Sequence, residues 1–148
     1  MGRPQPHKWK PSNPDKYAGD PDNIWVRSSW ELKLLRYLDS SPQVIKYSSE
    51  EIVIPYMNPL DNRIHRYFPD AYAEVQTKDG TIKKFLIEVK PHAQTIPPVK
   101  PKRQSQRYIQ ESVTYVINSS KWKQAEKFCQ EHGWHFLIMD EYTLQIKR

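Results

Sequence analysis

The chain predicts an α/β domain, a mixed sheet flanked by helices, in the order helix, three strands, helices, strand, behind an extended N-terminal arm. Three observations carry this expectation. Residues 82–90, IKKFLIEVK, alternate apolar and polar side chains as a half-buried strand does. Asp79-Gly80 is a tight-turn signal that joins this segment antiparallel to YFPDAYAEV at 67–75. Helical periodicity occupies 30–39 and returns between 104 and 132, where Gly133 ends it before the apolar run WHFLIMD.

The arm comes first. Five prolines and the basic residues Arg3, Lys8, Lys10 and Lys16 fall within residues 1–23, a composition that disfavours helix and leaves the chain extended. It is separated here from a domain spanning 24–148. Packing of Trp9 and Tyr17 on the domain is one role for the arm, and contact with DNA or a partner is the other. The first helix runs from Trp30 to Asp39, with Ser28 as N-cap and Glu31 three residues on, a capping-box spacing. Trp30, Leu34, Tyr37 and Leu38 form its expected core stripe. At about 100° per residue Glu31 falls between Leu38 and Leu35, inside the apolar sector. Two roles compete for it: the cap, or a third acidic group at a metal site.

In VIKYSSEEIVIPY, Ile52, Val53 and Ile54 read as a buried strand that Pro55 limits, preceded by solvent-facing Glu50 and Glu51. The loop MNPLDNR leads into a strand that starts at His65 and Arg66 and carries Asp70. Beyond Lys90, PHAQTIPPVKPKRQSQR is Pro-rich and basic with no acidic residue. Two helices follow. One, at 104–117, places Tyr108, Ser112, Val113 and Val116 on one side; the other, at 121–132, places Trp122, Ala125 and Cys129 and is capped by Ser119 or Ser120. WHFLIMD is apolar enough for a central strand, and YTLQIK reads as an edge strand or a short helix.

The chemistry concentrates in Pro69-Asp70 and Glu88-Val89-Lys90. Strand side chains repeat every two residues, so Phe85, Ile87 and Val89 share one face while Leu86, Glu88 and Lys90 share the other. Asp70 and Glu88 then converge at neighbouring strand ends, with Lys90 one pleat further. Hard oxygen ligands at such a point suit Mg²⁺ or Mn²⁺. The candidate metal set is Asp70, Glu88, Val89 and Glu31, and the candidate catalytic set is Asp70, Glu88, Lys90 and Glu31. The tripeptide alone identifies nothing, because Glu31-Leu32-Lys33 repeats it on a helix. Context distinguishes the second copy: a Pro-Asp in an aromatic strand, a tight hairpin, and Pro91 stopping the strand. Lys100, Lys102, Arg103 and Arg107, adjoining these carboxylates, are candidate contacts to a phosphate backbone, as are His65 and Arg66. Cys129, His132 and His135 have zinc-ligand chemistry, but they cross a helix, a glycine cap and a strand and so diverge.

A formal charge of +6 over 148 residues suits a nucleic-acid partner. Cys129 is the only cysteine, which excludes an intramolecular disulfide and points to a reducing compartment. No apolar run reaches membrane-spanning length, and MGRPQPHKWK has neither a signal-peptide core nor a myristoylation pattern. No G-x-S-x-G elbow is present to support a serine nucleophile.

The element order, with acidic residues on the second and third strands, resembles the restriction-endonuclease-like fold and its PD-(D/E)xK nucleases. VRSSWELKLL, EEIVIPY, HRYFPD and FLIEVKP are similar to TnsA-type transposon end-cutting endonucleases, which have Gln where this chain has Glu88. MGRPQPHKWKPSNPDKYAGD, NIWVRSSWELK, PPVKPKR and KWKQAEKFCQEHGW extend a resemblance over almost the whole chain to the head completion nucleases of T4-like tailed phages. The resemblance implies that Asp70 and Glu88 bind divalent metal, that Lys90 assists the attacking water and that Glu31 joins them. It also implies double-stranded DNA as substrate, phage head and neck proteins of the portal region as partners, and a location in the virion and host cytoplasm. Two other readings stay open: a non-catalytic head or neck protein that grips DNA, and a transposition or recombination nuclease.

Overall fold

A computed structural model describes residues 5–145. Arg3 of the arm and residues 146–147 at the end of YTLQIK lie outside the described residues. The arm is tied into the fold. Its strand β1 (His7–Trp9) pairs antiparallel with β2 (Ile24–Val26), and a 3₁₀ turn occupies Pro14–Lys16. Tyr17 is buried and meets Tyr47 edge-on at 5.3 Å, and Trp9 packs against the same core. Helix α1 (Ser29–Ser40) anchors this segment. The buried Asp39 carboxylate accepts hydrogen bonds from the backbone N–H of Ser12 and Asn13 and from the Tyr47 hydroxyl. The Lys16 ammonium donates to the Asp39 and Ser41 carbonyls at the end of the helix, where the macrodipole favours a cation.

Leu34, Leu35 and Leu38 make the buried face of α1, with Trp30 half-buried beside them. Tyr37, expected in the stripe, is 58% exposed. The reason is angular: it lies about 110° from the middle of the Leu34–Leu35 sector. The same arithmetic puts Glu31 near the centre of that sector.

The main sheet has four strands in the order β3 (Val44–Ser49), β6 (Ala71–Gln76), β7 (Ile82–Val89), β8 (His135–Met139). The first three are antiparallel neighbours and β8 runs parallel to β7, so the sheet is mixed as expected. The Asp79-Gly80 turn joins β6 to β7, with Gly80 at φ 88° and the Asp79 carboxylate accepting the Thr81 N–H. Strand β8 takes an edge position among the described residues rather than a central one, with Leu137 42% exposed. Residues 141–145 form turns, and Leu144 enters the core.

Between these strands, β4 (Ile54–Asn58) and β5 (Arg63–Tyr67) form a separate antiparallel hairpin. Two expectations change here. Only Ile54 of the Ile52–Ile54 run is in a strand, and Val53 is exposed. The segment 67–75 is not one strand, because it breaks at 68–70. Pro69 has no N–H to give a ladder and is fully buried in this break. Asp70 therefore sits immediately before β6, not within a strand.

Helix α2 (Gln106–His132) is continuous where two helices were expected. Ser119-Ser120 reads as a cap because such side chains compete for backbone partners. In the fold the Ser119 hydroxyl instead donates back to the Tyr115 carbonyl at 2.8 Å, and no glycine or proline interrupts the helix before Gly133. Ser105 caps the start and Gly133, at φ 71°, the end. The faces of β7 divide as the alternation predicts. Ile87 faces a core with α1 and the arm, while Leu86 faces a second core with α2, Tyr56, Tyr67 and Tyr72.

Candidate active site

The break at Pro69 and the register of the two central strands place the site. Ala71 pairs with Ile87, so Asp70 arrives opposite Glu88 at the end of the sheet nearest the start of α1. The Asp70 carboxylate accepts the Val89 backbone N–H at 2.7 Å, which fixes its orientation. A cleft of about 460 Å³ opens there, and Glu31, Asp70, Glu88, Val89, Lys90 and Gln94 contribute to its wall.

Glu31 sits at the Ser28 cap and also faces the cleft. Its backbone N–H donates to the Ser28 hydroxyl at 3.1 Å, and its carboxylate accepts the Arg27 N–H while also facing the cleft. The unexpected member is Glu50, which the sequence suggests is merely solvated. One carboxylate oxygen from each of Glu31, Glu50 and Asp70 can be chosen so that all three lie within 4.8 Å of one another. No other cluster of acidic, histidine or cysteine ligand atoms of this kind occurs among the described residues, and Cys129, His132 and His135 form none. Glu50 has a left-handed backbone, φ 53°, which costs a non-glycine residue roughly 1–2 kcal/mol. Its N–H donates to the Asp70 carbonyl and its carboxylate pairs with Arg27 at 3.4 Å.

Glu88 lies outside that triad and is 6% exposed. The Tyr67 hydroxyl donates to its Oε2, and the ammonium groups of Lys90 and Lys121 act on it electrostatically. Lys121, from α2, stands over the rings of both Tyr56 and Tyr67 at 5.7 Å. Sequence reasoning finds neither Tyr67 nor Lys121. Tyr67 lies on the far side of a strand break, and Lys121 is brought in by a helix distant in sequence.

These charges are poorly compensated. Burial, then repulsion from Glu88, raises the Asp70 carboxyl well above its ordinary range, against the opposing pull of the Val89 N–H and Lys90. Burial also raises Glu88 and Glu50 and lowers Lys121. Carboxylates crowded in this way need a cation to be stable together, so the donor set fits a hard divalent metal. A pH dependence follows. The folded protein holds protons on Asp70 and Glu88 that the unfolded chain releases near pH 4, so metal-free stability falls as pH rises from about 4 towards about 8, where Asp70 ionises. Thermal melts in EDTA should show Tm declining across this window, and saturating Mg²⁺ should flatten the decline. A Tm that climbs with pH in EDTA would contradict the assigned repulsion.

Of the residues suggested for phosphate contact, Lys100, Lys102, Arg103 and Arg107 are exposed on the Pro-rich segment and the start of α2. His65 and Arg66 lie on the separate β4–β5 hairpin, where His65 bonds Asp61 at 2.7 Å and the Arg66 guanidinium stands 5.9 Å from the Phe68 ring. Neither lines the cleft.

A mixed sheet between helices, with acidic groups gathered where the second strand of its core meets Glu88-Val89-Lys90, defines the restriction-endonuclease-like class of nuclease folds. The chain belongs to the TnsA-like endonuclease N-terminal family, whose sequence profile matches residues 41–141. It is also similar to the head completion nuclease of Enterobacteria phage T4, with 38% identity over 142 residues, covering 93% of this chain and 92% of the relative. Both similarities support a nuclease role. The profile starts after α1, so the case for Glu31 rests on the cleft itself.

Proposed function

We propose that this chain is a Mg²⁺- or Mn²⁺-dependent DNA endonuclease that acts in phage head completion and head–tail joining on packaged double-stranded DNA, in the virion and host cytoplasm. The observation that carries the reading is the convergence of Glu31, Glu50 and Asp70 beside a cleft that Glu31, Asp70, Glu88 and Lys90 line. The similarity to a head completion nuclease over 93% of the chain supports the biological setting. No helix among the described residues is long and apolar enough to cross a membrane.

A divalent cation in this cleft would supply Lewis-acid stabilisation of the phosphate and a water of lowered pKa. Asp70, Glu31 and Glu50 would hold it, and the Val89 N–H fixes the orientation of Asp70. Tyr67 fixes Glu88 at the edge of the same space. Lys90 carries the positive charge that positions the attacking water or steadies the charge growing on the phosphate. Lys100, Lys102, Arg103 and Arg107 grip the backbone beside the cleft, and His65 and Arg66 extend that contact on the hairpin.

Plasmid incubated with the pure protein and Mg²⁺ tests the reading. The wild type should convert supercoiled DNA to nicked and linear forms, EDTA should stop it, and Lys90→Ala should slow it on the order of 10²–10³-fold. Salt-sensitive DNA binding with no cutting by any version would leave a DNA-gripping head protein instead.

A further inference from the structure

A second cavity, about 540 Å³, lies between the segment after Lys90 and the first half of α2. Gln94 lines both this groove and the catalytic cleft, so the two adjoin. Ile96 and Pro98 give the groove apolar surface, while Thr114, Tyr115 and Asn118 face it from the helix. Asn118 is its one buried lining residue, 4% exposed, and its amide N–H₂ finds no hydrogen-bond partner among the described residues. The amide nitrogen is closed off from solvent and unsatisfied, which is costly, and a turn of the side chain toward the groove would let a ligand's acceptor meet it.

We infer that this groove holds the nucleobase of an unstacked nucleotide next to the scissile phosphate. The inference rests on the nuclease reading and adds the form of DNA that the site accepts. A base has flat apolar faces for Ile96, Pro98 and the Tyr115 side, and an edge with acceptors and donors for a carboxamide. A phosphate matches the groove less well, because its lining is largely uncharged and includes the Glu111 carboxylate. Arg107, Glu111, Thr114, Asn118 and Lys121 recur every three or four residues, so they make one stripe along α2. From Arg107 to Lys121 the stripe runs about 21 Å, from the basic segment to the ammonium beside Glu88. A strand following it reaches the cleft at Gln94. Bases stacked in a duplex cannot enter such a groove, so the substrate presents an unpaired end or flap, or has its base rotated out of the helix.

The test places 2-aminopurine, which brightens on unstacking, in the single-stranded flap of one duplex and inside a second, blunt duplex. Binding is followed with Ca²⁺ in place of Mg²⁺ to suppress cutting. Thr114→Trp fills the groove from its exposed side, and Asn118→Leu removes the amide. The wild type should brighten the flap probe, both variants should lose that signal, and in Mg²⁺ their KM for the flapped duplex should rise on the order of 10-fold. Brightening of the blunt probe as well identifies base rotation, and its absence restricts the groove to bases already unpaired; either result supports the groove. An unchanged signal and KM in both variants, with folded protein by circular dichroism, overturns it. If no version cuts DNA, the nuclease reading fails, and the fluorescence comparison still decides whether the groove takes a base.

Discussion

Replacing Asp70 with asparagine should abolish DNA cutting while raising the Tm of the metal-free protein. Both effects have one cause. The Asp70 carboxylate is half-buried beside Glu88 and within reach of Glu31 and Glu50, and its ionised form is opposed by desolvation and by the Glu88 and Glu31 charges. Asparagine keeps the shape, and its side-chain oxygen can still accept the Val89 N–H that now bonds Asp70 at 2.7 Å. It cannot ionise, so above about pH 4 it escapes the cost of protonating Asp70 on folding or of holding its charge beside Glu88; each kcal/mol recovered raises Tm by about 2–4 °C for a chain of this size. The same change removes a hard anionic ligand, and cutting should fall on the order of 10³-fold or more. Melts in EDTA and plasmid assays in Mg²⁺ measure the two halves separately. Loss of cutting together with a lower Tm would mean that Asp70 serves packing rather than the metal. Opposed changes in stability and activity are the signature of a site whose charges are held together for function.

The second large effect is expected at Glu50. Glu50→Gln should weaken Mg²⁺ binding and reduce cutting at limiting Mg²⁺ by on the order of 10–100-fold, with recovery as Mg²⁺ is raised. A metal titration of the cutting rate reads this directly. Glu51→Gln is the comparison, since Glu51 is exposed and its carboxylate accepts a hydrogen bond from the Tyr17 hydroxyl at 3.3 Å. If Glu50→Gln has the same metal dependence as wild type, the ion does not engage Glu50 and the ligand set shrinks to Asp70 and Glu31. The unfavourable φ of 53° at Glu50 is consistent with a functional constraint, because strained backbone persists where the surroundings over-determine it.

How much of this was legible beforehand depends on the range over which each signal acts. Alternation in IKKFLIEVK, the Asp-Gly turn and Pro91 are local, and they placed β7, the hairpin and the inward face of Glu88 correctly. The angular position of Glu31 among Leu34, Leu35 and Leu38 was equally local, and the helix carries it into the cleft. Errors arose where two local signals conflicted. Ser119-Ser120 resembles a cap, yet tertiary packing of Trp122, Ala125 and Cys129 against β4 and β8 favours one unbroken helix. The aromatic segment around Pro69 resembles one strand, yet a buried proline divides it between two sheets.

By itself, the sequence determined the α/β order, the Asp70 and Glu88-Val89-Lys90 pairing across a hairpin, and the inward place of Glu31. Each depends on backbone periodicity or turn chemistry within a few residues. Only the tertiary structure decided that Glu50 joins the carboxylates, that Tyr67 and Lys121 frame Glu88, and that Asn118 faces a groove beside the cleft. These residues come from a strand end, a separate hairpin and a distant helix. Their meeting is set by how the elements pack on the two faces of the sheet, a long-range outcome that no local pattern encodes.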